Sequence, residues 1–319
     1  MSSQSFPLLN LPCLALVQVF KTFGVKELVS LSLASSQAKL IVKHYRNKSL
    51  ALNMELIRDF DPTVFLREKD CYFNSVSAIV KPFPATQPDE LQGFHCDGDE
   101  YATYWNNEVR GTKFLLDYFC DLFGITVKEV TIEGNEIWML DLVEKLKSSS
   151  YKANVWGLKL SDDEFRHILL NLNPTSSDLD CFPSGNFEIK NFHKKYDAFH
   201  LSRGTWITMD NLLQLDCKEL RIKEKDFTSQ EMKRYIRHVL TGGANRLRHF
   251  CAGVENGDAV FALLEATPEL STGEEERNEN DAGWEMITKV MRKDGMVKIS
   301  IKYYLCYGMI GLTVEQCAE

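Results

Sequence analysis

Seven histidines, nine cysteines and 45 carboxylates would suffice for acid–base, nucleophilic or metal chemistry, so their spacing decides whether any of it is organised. The cysteines run singly from Cys13 to Cys317 and never form a CxxC pair, the short spacing that a structural zinc site uses. The acidic run Asp97-Gly98-Asp99-Glu100 hints at a cation loop. It lacks the DxDxDG register and a glutamate at loop position 12, and it reads as a solvated acidic turn. Thr241-Gly242-Gly243-Ala244 follows a helical stretch, where the dipole is unfavourable for anions, and it reads as a stop signal. The sequence contains no GxSxG, HExxH or GxxxxGK[ST], and no GxGxxG after a strand. His167 and His238 fall on helix faces beside apolar stripes, where a surface or half-buried structural histidine is the plain reading. A Ser-His-Asp or Cys-His set assembled in space would leave no such trace, and it is the enzymatic alternative. The chain is expected to be non-catalytic and to use no cofactor and no metal, so the question becomes what it binds.

The elements that carry these residues belong to a globular chain. It has 319 residues, 44% hydrophobic and 26% charged, enough for one large domain or two smaller ones. A net charge of -8 argues against a nucleic-acid coat. No apolar run approaches the roughly 18 residues of a membrane span, and without a basic n-region or a small-residue cleavage site no secretory signal is expected. Scattered cysteines in an odd number then read as reduced, mostly buried thiols, and Asn47-Lys48-Ser49 as a chance sequon. The expected compartment is cytoplasmic and/or nuclear.

The stretch "FPLLNLPCLALVQVF", Phe6 to Phe20, carries only Asn10 and Gln18 as strongly polar residues. Pro12 fits the first turn of a helix that Gly24 stops. A second helix is expected around Lys26 to Leu33 and a third from about Ser36 to Tyr45. This unit of roughly forty residues is too small to cover its own apolar surface. The surplus either packs on the rest of the chain or docks another protein. Further on, "SLALNME" and "PTVFLRE" alternate as a hairpin across Asp61-Pro62, and "KPFPATQPDE" reads as a connector. "GTKFLLDYFCDLFG" reads as a buried helix closed by Gly124.

Strands and helices then alternate. Ser161/Glu164 and Thr228/Glu231 mark two capping boxes ahead of apolar stripes. Val130, Leu158, Leu220 and Leu247 stand at comparable strand positions, 28, 62 and 27 residues apart. A unit of roughly 27 to 31 residues is the period of a leucine-rich-repeat-like solenoid. A doubly wound sheet is the competing arrangement. "STGEEERNENDAG", about residues 271–283, reads as an acidic mobile loop. A β-hairpin turning at Asp294-Gly295 closes the chain and could cover the end of a solenoid. The expected fold is α+β overall: a small three-helix unit over 1–46, then an α/β leucine-rich-repeat-like solenoid over 47–319 ending in the hairpin.

The first forty residues resemble an F-box, with Phe6-Pro7-Leu8, Leu11-Pro12, Leu14, Val19-Phe20 and "ELVSLSLAS" in order. The remainder is similar to the F-box-associated type 2 domain common in nematode F-box proteins. Its anchors are "FLLDYFCDLFG", the stretch from "SRGTW" to "VLTGG" with Trp206 and Leu212-Leu213, and "MRKDG" near the end. The resemblance implies a substrate-recognition subunit of a Skp-cullin-F-box ubiquitin ligase. Its helices would dock on a Skp-type adaptor, and through it on a cullin-RING ligase, while the downstream domain captures the target protein. By this likeness the adaptor-facing residues are Leu8, Leu11, Pro12, Leu14, Val17 and Phe20, helped by Leu28 and Leu31. The alternative is a non-catalytic repeat-type protein-binding scaffold that engages no adaptor.

If Leu220 and Ile222 face the helices, alternation sets Glu219, Arg221 and Lys223 on the opposite face. The same logic exposes Lys159 on an earlier strand, His200 and Ser202 on the middle one, and Arg246 and Arg248 on the last. A mainly basic row on an acidic chain suits an acidic or phosphorylated target segment.

Overall fold

The computed structural model describes residues 8, 11–69, 75–83, 94–97, 100–133, 136–146, 150–183, 186–265, 271–272, 276–280, 283–291, 297–304 and 307–316. The chain divides into two compact units, Met1–Tyr151 and Lys152–Glu319. The division between them falls far beyond residue 46, so the N-terminal helices share a unit with the strands that follow.

The first unit opens with α1 (Cys13–Thr22), α2 (Val25–Leu33) and α3 (Ser36–Tyr45), close to the expected bounds. Pro12 stands at the N-cap of α1 instead of inside its first turn. Gly24 is extended, at φ -79° and ψ 179°, and caps α2 instead of closing α1 in a left-handed turn. The two-residue link must run directly into the next helix. Then come β1 (Leu52–Arg58), β2 (Pro62–Glu68), β3 (Ser75–Pro82), β4 (His95–Asp97), β5 (Glu100–Trp105), α4 (Glu108–Phe123), β6 (Val127–Glu133) and α5 (Trp138–Lys145). Their sheet runs β6-β1-β2-β3-β5-β4. β1 and β2 form the expected antiparallel pair, and Leu52, Met54, Leu56, Val64 and Leu66 bury its inner face. Lys81 and Pro82 finish β3, and residues 84–90 of the expected connector lie outside the described residues. Gly124 ends α4 at φ 65°, a left-handed position that glycine adopts without a Cβ clash.

Polar bonds hold the three helices onto this unit. Ser30 and Tyr101 hydroxyls meet at 2.5 Å, and Ser32 and Tyr118 at 2.8 Å. The Val25 amide donates to Glu68 at 3.1 Å. Arg46 donates to the Leu122 and Phe123 carbonyls at 2.8 and 2.7 Å, and Lys43 pairs with Asp121. The Arg46 donors satisfy carbonyls of the last turn of α4, which have no partner within the helix.

The second unit contains β7 (Lys152–Lys159), α6 (Asp162–Leu170), β8 (Ser176–Phe182), β9 (Lys195–Leu201), α7 (Met209–Leu212), β10 (Asp216–Phe227), α8 (Ser229–Leu240), β11 (His249–Val254) and α9 (Gly257–Glu265). β12 (Ser271–Thr272), β13 (Glu276–Asn280), β14 (Gly283–Met291), β15 (Val297–Tyr304) and β16 (Met309–Gln316) complete it. β7 to β11 lie side by side in chain order, and the pairs β7–β8, β8–β9, β9–β10 and β10–β11 are parallel. A doubly wound sheet would reverse its strand order at a switch point, and this run does not. Both expected capping boxes form, at Ser161/Glu164 and Thr228/Glu231.

The strand landmarks need correcting. Register aligns Ala153, Ser177, Phe199, Leu220 and Phe250, in steps of 24, 22, 21 and 30 residues. Leu247 is buried but precedes β11, so Phe250 is the partner of Leu220. Two strands, β8 as well as β9, fill the long gap before β10. β8 escapes a hydrophobic scan because its inward residues are Ser177, Leu179 and Cys181. Among the described residues no helix links β8 to β9. Phe187 and Phe192 from that link pack with Phe165, Phe199 and Trp206, with centroid spacings of 5.1 to 6.1 Å across this ring cluster, and Ile189 is buried.

The C-terminal region also differs from expectation. β14 and β15 pair as predicted, but β16 continues from them and pairs antiparallel with β11, so a three-stranded meander extends the parallel run. The proposed turn at Asp294-Gly295 lies outside the described residues. Within the acidic stretch 271–283, residues 276–280 form β13, paired along β14 from Glu276↔Ile287 to Asn280↔Gly283. Backbone pairing at a sheet edge needs no apolar side chains, so composition gave no sign of it.

Candidate functional site

Two surfaces concentrate the residues singled out above. The first belongs to α1 and its approach. Leu14 is 80% exposed and Pro12 is exposed, while Leu8, Leu11, Val17 and Leu31 are half-buried. Phe20 and Leu28 are fully buried, at 0% exposure, and are core residues rather than contact residues. Phe20 packs its ring 5.5 Å from Phe23 and 6.3 Å from Tyr45. Helical geometry explains the split, since the face of α1 carrying Leu16 and Phe20 points into the unit and the face carrying Leu14 points away. Leu40 on α3, 66% exposed, is a further bare apolar side chain that the sequence reading did not single out.

The second surface is the outward face of the parallel sheet. Leu220 and Ile222 are buried while Arg221 and Lys223 are exposed, as alternation requires. The row across the sheet is less basic than expected. Glu219 lies 2.7 Å from Arg221 and 3.3 Å from His200, and Asp178 is the register partner of His200. Arg246 and Arg248 do not join this face. Arg246 precedes β11 and is held near the starts of β9 and β10, 2.6 Å from Asp197 and 3.3 Å from Asp216. Lys218 and Arg246 together hold the Asp197 carboxyl below its ordinary range. Arg248 also precedes the strand, its amide bonded to the Lys218 carbonyl at 2.8 Å. The outward residues of β11 are instead His249 and Cys251.

Lys159 and Ser202 sit at the C-terminal ends of β7 and β9. Lys159 lines a cavity of about 440 Å³ with Phe182, Arg203, Trp206 and Glu224. Glu224 has φ 55°, at the irregularity where β10 slips against β11 between Ile222 and Asp226. Arg203 lies 3.2 Å from Asp180 and 3.8 Å from Glu224, so this cavity balances its charges.

A second cavity of the outward face, about 330 Å³, spans β10, β11, β16 and β15. Arg221, Lys223, His249 and Lys302 line it together with Cys251 and Gly311, and among the described residues no carboxylate does. The Cys251 thiol is raised by burial, and the charges of Arg221 and Lys223 oppose that rise. Lys302 was legible as an outward residue of an alternating strand. Its place opposite Arg221 was not, because strand order sets it.

The six described cysteines are free, and burial pushes Cys181 and Cys217 up to about 12. Cys13 and Cys96 are exposed, so the expectation of mostly buried thiols holds only in part. Among the described residues no three His, Cys, Asp or Glu side chains gather as a metal site, and no helix is long and apolar enough to cross a membrane.

A family model described as F-box associated matches residues 187–252, from the β8–β9 link through β11. This stretch holds the Trp206 cluster and the strand that carries Arg221 and Lys223. No curated protein and no solved structure matches the chain.

Proposed function

We propose that the chain is the substrate-recognition subunit of a Skp-cullin-F-box ubiquitin ligase. The N-terminal helices would dock on a Skp-type adaptor, and the Lys152–Glu319 unit, read as a degenerate repeat solenoid, would hold a target protein. The match of residues 187–252 to the F-box-associated family carries this reading. The bare apolar face around Leu14 supports it, since a side chain 80% exposed is left unshielded among the described residues of its own unit. The chain would supply no reacting group. It would act in the cytoplasm or nucleus by holding target lysines near the ligase, raising their effective concentration.

A second reading, a scaffold that meets no adaptor, draws on the burial of Phe20 and Leu28. Co-purification with a Skp-type adaptor separates the two. Leu14→Glu puts a charge where an apolar contact would form, and adaptor affinity should fall by about 30-fold or more. Circular dichroism should stay unchanged, because Leu14 is not part of the core. A wild type that never co-purifies with the adaptor would favour the scaffold, and adaptor binding that survives Leu14→Glu would show that the dock does not use Leu14.

A further inference from the structure

The cation-lined cavity on the outward sheet face has a construction that strand register makes explicit. Arg221 pairs with Cys251, Cys251 with Gly311, and Gly311 with Lys302. One row across four strands therefore reads cation, small, small, cation. Each step between strands is 4.7–4.9 Å, which places the two cationic positions about 14 Å apart. Lys223 and His249 flank the row on β10 and β11. Lys223 makes no ion pair among the described residues.

Gly311 is not required by the backbone. Its φ is not positive, and an added Cβ would meet only ordinary contacts, the nearest being Tyr304 Cε2 at 3.4 Å. An alanine would fit the strand, so what glycine provides here is a low floor beside Tyr304, between Arg221 and Lys302. On a chain of net charge -8, this is a local reversal of sign.

We propose that this trough binds an extended, carboxylate-rich segment of the target protein. The proposal deepens the target-capture role above by naming the chemistry of the target. The cations stand apart along the trough instead of converging on one point, which suits separate carboxylates better than a single phosphate. An extended peptide advances about 3.4 Å per residue, so acidic side chains at positions i and i+4 span the distance from Arg221 to Lys302. Glu219, already bonded to Arg221, marks one end of the trough and disfavours a ligand that is uniformly anionic.

A random decapeptide library displayed on phage, panned on the full-length chain, supplies the ligands, and fluorescence anisotropy measures the enriched peptides. They should carry at least two Asp or Glu residues with about three residues between them. Lys223→Glu/Lys302→Glu should weaken them tenfold or more. Gly311→Leu, which fills the trough and adds no charge, should do the same. If Gly311→Leu lowers the melting temperature, the lysine pair decides alone, because those side chains reach outward. The proposal is overturned if no peptide is enriched, if the consensus carries no acid, or if affinity is unchanged in the lysine variant. Tighter binding of a 20-nucleotide single-stranded RNA, or a strict need for phosphorylated peptides, would also overturn it. Adaptor co-purification is measured separately, so this result and the ligase reading can fail independently.

Discussion

The N-terminal helices present Pro12 and Leu14 with no charge between them, whereas the outward face of the second unit sets Arg221, Lys223 and Lys302 around a floor of Cys251 and Gly311. The two surfaces invite different physics. An apolar contact gains from area removed from water and is little affected by salt. A cationic trough gains from charge complementarity, which steers encounter and weakens as ions screen it. A protein that must keep one partner and exchange another could use this contrast, with a constant dock at one surface and a condition-dependent capture site at the other.

The contrast is easiest to break inside α1 itself. Phe20→Ala should destabilise the isolated chain by about 3–5 kcal/mol, because it empties a fully buried aromatic site. Leu14→Ala should stay within about 0.5 kcal/mol in the same urea melts. Equal losses would mean that Leu14 is core and the dock does not exist. A smaller effect sharpens the comparison. Raising salt from 50 to 500 mM should weaken peptide capture by the trough several-fold and leave adaptor binding nearly unchanged. Parallel titrations that respond alike would remove the distinction.

The smallest effect concerns pH. Burial holds the His238 imidazole below its usual 6.5, with the charge of Arg234 acting the same way and a hydrogen bond with the Gly243 backbone opposing. The unfolded chain then takes up the proton first. Stability of the second unit should be level above about pH 6.5 and decline as pH falls through the lowered folded value. Hydrogen-exchange protection along α8 should drop between pH 7.5 and 5.5, and His238→Asn should flatten that drop. Protection in the wild type that does not change with pH would rule it out.

Much of this was legible in the chain. Helix bounds followed from caps and stripes, because Ser161 with Glu164 and Thr228 with Glu231 are local signals that need no distant partner. Alternation correctly turned Arg221 and Lys223 outward. What failed was non-local. Phe20 and Leu28 look as apolar as Leu14, and only packing shows which of them face inward. β8 carries Ser177 and Cys181 in its inward slots, so its pairing rather than its composition makes it a strand. Arg246 and Arg248 were placed by counting from Leu247, a buried residue that lies just outside the strand. Lys302 reaches the trough only because β15 and β16 fold back beside β11.

That return has a consequence for synthesis. β16 leaves the ribosome after every other described strand, yet it lies between β11 and β15 and is the link from the meander to the parallel run. Until residues 309–316 have emerged, β14 and β15 can pair with each other but have no neighbour through which to join the rest of the sheet. The trough is shared by β10, β11, β15 and β16, so it cannot exist on a nascent chain. If the trough captures a target, capture begins only after translation has passed Gln316, and half-made copies cannot take part in it.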